Sequence, residues 1–242
     1  MDKNNIKNTF KEYVKKFDET DPAIKMKIDH SYRVMEIATD IAKNVTSSKD
    51  DIEISTIAGL LHDYARFQQW TQYKTYSDLA SIDHADLAVD LLFDEEIKRY
   101  TEKKQYYNKI YDAIKYHNKL EIPNNINKDN RLICEIIRDA DKLDIFYINS
   151  NRTLIIGDDD IVTPKVKKDF LSKKLIDRRN MKNSVDNILL LLSMVFDLNF
   201  KYSYKYLLET KIIDKMYEKI TNKNKIEEYF KILKECIEER AN

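Results

Sequence analysis

Two glycines and three prolines in 242 residues leave this chain few ways to turn tightly. Hairpins and the connections of β-rich folds draw on Gly and Pro for the backbone angles they need. Gly59, Gly157, Pro22, Pro123 and Pro164 are too few for that. Long helices joined by Asn, Asp and Ser loops need neither residue, so the expected fold class is all-α. The same scarcity excludes the glycine-rich phosphate loops GxGxxG and GxxxxGK[ST].

The apolar residues agree. After Asp21 as N-cap and Pro22 at the first helical position, Ile24, Ile28, Val34, Ile37, Ala38 and Ile41 recur at helical spacing. A second helix carries Ile54, Ile57, Ala58 and Leu61 on one stripe and ends near Ala65. Ser81 or Asp83 caps a third, with His84 in its first turn. Tyr107, Ile110, Tyr111, Ile114 and His117 mark a fourth, and residues 130–149 read as one long helix. Residues 66–80 show no clean period and are expected to be irregular. Residues 150–165 are the clearest break, with Gly157, three aspartates at 158–160 and Pro164. The aspartates read as a solvated turn. The expected organisation is a helical domain over 1–150 and a C-terminal helical extension over 151–242, packed on it as one continuous globule.

Charge excludes some partners. The 42 basic and 42 acidic residues cancel, and no basic run marks a nucleic-acid track. The N-terminal stretch MDKNNIKNTFKEYVKK has no apolar signal region. The longest apolar run, ILLLLSMVF at 188–196, falls short of the ~20 residues of a membrane span. Cys134 and Cys236 form no CxxC pair and are expected to be reduced and buried. A cytoplasmic protein without membrane or strong nucleic-acid partners is the expectation.

The chemistry gathers around GLLHDYARFQQW at 59–70, where an apolar run ends in His62–Asp63. Burying an imidazole or a carboxylate without a partner costs several kcal/mol, roughly 2–7 for a polar group and more for a charge. The chain has four histidines, His30, His62, His84 and His117, on four different expected helices. One histidine on a helix is an ordinary packed residue. Four of them, with Asp63 and with Asp141 in the stretch RDADKLD, point to a metal. Asp141 follows Ile137 by four residues, on the core side, where a carboxylate needs a cation.

His30, His62–Asp63, His84, His117 and Asp141, in that order, resemble the HD-domain superfamily of metal-dependent phosphohydrolases. GLLHDYAR is similar to its namesake motif and ADKLD to its last one. The resemblance covers roughly residues 20–150 and implies an α-helical bundle. It further implies that His30, His62, Asp63 and Asp141 hold one metal. In members with two further histidines, His84 and His117 would hold a second, with Asp63 shared. The metal would be a divalent transition ion, one or two per chain: Fe, Mn, Zn, Ni or Co. The implied reaction cleaves a phosphoester of a nucleotide or another small phosphorylated substrate by means of a metal-bound hydroxide.

Asp63 and Arg66 are the expected catalytic residues, Arg66 standing where many members carry Lys and clamping phosphate charge. Phe67, Gln68, Trp70 and Tyr73 follow as a nucleobase wall or as core. The GYP motif of cyclic-dinucleotide phosphodiesterases is absent, as is the Glu-Asp pair of alarmone hydrolases. The alternatives are an HD-fold binding or regulatory module without turnover, and a di-iron oxygenase of HD-like fold.

Overall fold

The computed structural model describes residues 3–242. It is all-α: twelve α-helices and short 3-10 turns, with no β-strand among the described residues. The chain divides into two compact units, Met1–Ala140 and Asp141–Asn242.

In the first unit the helices are α1 Lys3–Val14, α2 Pro22–Val45, α3 Lys49–Leu61, α4 Arg66–Tyr73, α5 His84–Leu92 and α6 Tyr107–Tyr116. Helix α7, Lys128–Ser150, begins here and continues into the second unit. The caps follow from local chemistry. The Asp21 carboxylate accepts from the Ala23 amide with Pro22 behind it, Ser48 Oγ accepts from Asp51, and Asp83 accepts from Ala85 and Asp86. Each occupies amide donors that a helix start leaves without a partner. Helix α3 lies along α2, α6 packs on α3, and α5 on α6. Phe10 and Tyr13 of α1 meet Phe67 edge-on, and Tyr13 stacks on Tyr64 at 3.7 Å.

The stretch 66–80 corrects the sequence reading. It holds helix α4 and a 3-10 turn, Asp78–Ala80. The helix buries Phe67 and a polar residue, Gln69. Gln69 is stable there because its amide nitrogen donates to Asp78, Ser81 and the Ile82 carbonyl. A buried glutamine breaks the apolar period that would have announced the helix. Phe67 is fully buried core, and Trp70 donates from Nε1 to Asp21 at 2.7 Å.

Neither glycine sits at positive φ. Helices close instead on Lys74 and Lys211 in the left-handed region, with Lys173 and Asn222 there as well. Each non-glycine residue in that region costs roughly 1–2 kcal/mol. Gly59 serves close approach: a Cβ there would meet Ala38 Cβ at 3.0 Å, Met35 Cα at 3.1 Å and the Val34 carbonyl at 3.1 Å. Two of these are backbone atoms that cannot swing away. Gly59→Ala is therefore expected to lose about 1–3 kcal/mol by overpacking, of which helix propensity returns at most ~1. A lower urea midpoint for the variant is the check, and an unchanged or higher one would remove this role for Gly59.

In the second unit the remaining helices are α8 Pro164–Leu171, α9 Ser184–Ser193, α10 Lys201–Thr210, α11 Ile212–Glu218 and α12 Glu227–Ala241. Helix α12 packs against α10, α9 and α8. Of the three aspartates, 158 and 159 are exposed, while Asp160 accepts from the amides of Ser184 and Val185 at the start of α9. Cys134 and Cys236 are both free and buried. Burial pushes the Cys134 thiol up to about 12. No helix among the described residues is long and apolar enough to cross a membrane.

Candidate metal centre

Four helices of the first unit deliver the histidines, and two use one device. His62 and His117 each follow the last residue of a helix, α3 and α6. Each turns its Nδ1 back to the carbonyl three residues earlier, Gly59 at 2.8 Å and Ile114 at 2.7 Å. This occupies a carbonyl that the helix end leaves without a partner. A carbonyl only accepts, so the proton is on Nδ1 and Nε2 faces the cluster with its lone pair. His84, at the first position of α5, donates from Nδ1 to Asp78 Oδ2 at 2.7 Å. His30 projects from the middle of α2. All four rings are buried.

Asp63 lies between them. Its Oδ2 is 3.3 Å from His30 Nε2 and 3.5 Å from His62 Nε2. Its Oδ1 is 3.3 Å from His84 Nε2 and 3.8 Å from His117 Nε2. The Nε2 atoms face one another in the same pairs, His30 with His62 at 3.1 Å and His84 with His117 at 2.9 Å. Each carboxylate oxygen thus has two imidazoles and also one cation: Lys27 Nζ at 2.6 Å from Oδ2, and Arg66 Nε at 3.3 Å from Oδ1. Burial raises the Asp63 pKa, but the Lys27 charge and the surrounding imidazoles overcome it and hold the carboxyl well below the usual range. Burial pushes the His117 imidazole down to about 4 against the pull of Asp63. At neutral pH it is uncharged, the form that ligates metals.

Residues 28–145 match the family model of the HD domain. This segment is an HD domain. The comparisons with curated proteins and with solved structures return no match. HD domains belong to a superfamily of metal-dependent phosphohydrolases, which bind divalent metals at histidine and aspartate clusters.

The donor set of this HD domain fits such ions. His30, His62 and Asp63 form one group of ligand atoms within 4.8 Å of one another, and Asp63, His84 and His117 form another. Imidazole nitrogens and one shared carboxylate suit the divalent transition metals. The structure thus brings together five of the six candidate ligands within the first unit. Asp141 follows Ala140 on the unbroken helix α7 and is partly buried, at the start of the second unit. Three residues before it, Arg138 ties that helix to the chain on either side of His117 by donating to the carbonyls of Tyr116, Lys119 and Leu120.

Behind the candidate ligands of the HD domain lies a layer that sequence reasoning missed. The Asp78 carboxylate accepts from His84 Nδ1, from Arg66 Nη1 at 2.9 Å, from Gln69 Nε2 at 2.9 Å and from Asn118 Nδ2 at 3.1 Å. Burial works against its charge, but the hydrogen bond from His84 and the charge of Arg66 hold its pKa well below the usual range. Arg66 Nη1 also donates to Gln69 Oε1 and to the Tyr76 carbonyl, each at 2.7 Å. Nothing in the spacing Asp78–His84 announces the pair. Lys27 had a signal: it precedes His30 by three residues and shares its helix face.

Proposed function

We propose that this HD domain is a dinuclear centre that hydrolyses a phosphoester of a small substrate, with nucleotides the first class to examine. One observation carries the reading: Asp63 divides its two oxygens between two imidazole pairs, His30–His62 and His84–His117. His30, His62 and Asp63 would hold one ion, and His84, His117 and Asp63 the other. Asp141 would complete the set, on the strength of its ADKLD context. When bound, the ions would supply Lewis acidity toward the phosphoryl oxygens and activate the attacking water.

The protein's own part is orientation. The Nδ1 bonds of His62, His84 and His117 fix which nitrogen faces the reaction. Arg66 holds Asp63 and Asp78 in register. With three acceptors on one nitrogen, its guanidinium serves better as a positioning group than as the phosphate clamp expected from its place in the motif.

The test is metal content by elemental mass spectrometry, together with phosphate release from nucleoside phosphates and dinucleoside polyphosphates. The expected result is about two ions per chain and metal-dependent release that His62→Ala abolishes. Two ions with no phosphate release from any substrate class would overturn the hydrolytic reading. Dioxygen consumption by the ferrous protein, without phosphate release, would assign oxygenase chemistry instead.

A further inference from the structure

Resting on the reading of His30, His62 and Asp63 as a metal site, we propose that Lys27 couples metal binding there to the binding of a phosphate-type oxyanion. Lys27 and Arg66 flank the same carboxylate but are not equivalent. Arg66 pairs with Asp78 as well as Asp63, and two further acceptors, Gln69 Oε1 and the Tyr76 carbonyl, define its pose. Among the described residues Lys27 reaches a single carboxylate oxygen, Asp63 Oδ2 at 2.6 Å. That is the oxygen that faces His30 and His62. Its Nζ otherwise lies over the Tyr76 ring, 5.4 Å from the centroid. The Lys27 side chain is 13% exposed, against 3% for Asp63.

A divalent ion held by Oδ2 and the two imidazoles takes the negative charge that Lys27 now neutralises, and its own charge repels the ammonium in a nearly dry site. The ammonium is a point charge on a flexible stem with three donors. It can turn away while staying at the edge of the centre, where an oxyanion then becomes its partner. Metal and oxyanion each remove a cost that the other would meet alone, so they bind cooperatively. By linkage the effect is reciprocal: the factor by which the anion tightens the metal is the factor by which the metal tightens the anion. The chemistry selected is a phosphate or phosphoryl oxygen.

The probes are Mn2+ and inorganic phosphate. Free Mn2+ is counted by electron paramagnetic resonance as the full-length protein is titrated, with and without phosphate. In the wild type, phosphate is expected to raise Mn2+ affinity about 5–150-fold, the usual range of site-to-site coupling. Lys27→Met is expected to bind Mn2+ more tightly than the wild type without phosphate, with the phosphate effect reduced to about twofold or less. Lys27→Arg, which keeps the charge, is expected to retain the effect, and it guards against a folding artefact in Lys27→Met. An undiminished phosphate effect in Lys27→Met, or weaker Mn2+ binding than the wild type without phosphate, would overturn the proposal. Failure of the metal reading has a different signature: the wild type and His62→Ala would bind Mn2+ alike.

Discussion

Asp63→Asn is expected to empty both sides of the centre at once, whereas each histidine variant should weaken mainly its own side. The shared carboxylate is the reason. Asp63 Oδ2 serves the pair His30–His62 and Oδ1 the pair His84–His117. An amide of the same size keeps one neutral acceptor and turns a donor toward the other pair, so it cannot bridge two cations. Elemental analysis should show less than one ion per chain in Asp63→Asn. His30→Ala and His117→Ala should each retain one. The same substitution leaves Lys27 and Arg66 facing an uncharged group in a buried site. Removing one partner of a buried ion pair costs about 3–5 kcal/mol, and the lower figure applies here because Arg66 keeps Asp78. Thermal denaturation in chelator should therefore show a large loss of stability even without metal. Two ions retained in Asp63→Asn would refute the bridging role, and unchanged stability would refute the ion-pair argument.

Asp78→Ala should act on one side only. Asp78 holds the Nδ1 of His84 and thereby fixes the tautomer and direction of the Nε2 that faces Asp63 Oδ1. Outer partners of ligating histidines are worth roughly 10–100-fold in metal affinity. The ion on the His84–His117 side is expected to weaken by that factor. The ion on the His30–His62 side should hold, because His62 is oriented by the Gly59 carbonyl instead. Cobalt(II) titration, followed through the visible bands, separates the two steps. Asp78→Glu, which keeps an acceptor for Nδ1, should recover part of the affinity. Equal weakening of both ions would mean that Asp78 supports the fold around the site rather than one ligand.

Much of this was legible along the chain because helices write themselves in local order. Two glycines left no route to a sheet protein. The spacing of Ile54, Ile57, Ala58 and Leu61 put His62 just past the buried stripe; the helix stops at Leu61, a turn short of the expected end near Ala65, so His62 caps it. Of the two caps that Ser81 and Asp83 offered for α5, the structure uses Asp83, with His84 in the first turn as expected. The candidate ligands were recognisable as residue types that a core does not bury without cause. Helix α4 was hidden because one of its inward positions is Gln69, whose burial rests on Asp78, Ser81 and Ile82, up to 13 residues away.

By itself, then, the sequence determined the all-α class and the main helices of the first unit, since each follows from local periodicity and capping, and it offered the His and Asp residues as candidates for a metal. Only the tertiary structure decided how Asp63 shares its oxygens, that Asp78 stands behind His84, and that Lys27 and Arg66 flank one carboxylate with unequal freedom. Those pairings join residues from separate helices and turns. Their distances are set by how closely the helices pack, as at Gly59, where α3 approaches the backbone of α2 with no room for a methyl group.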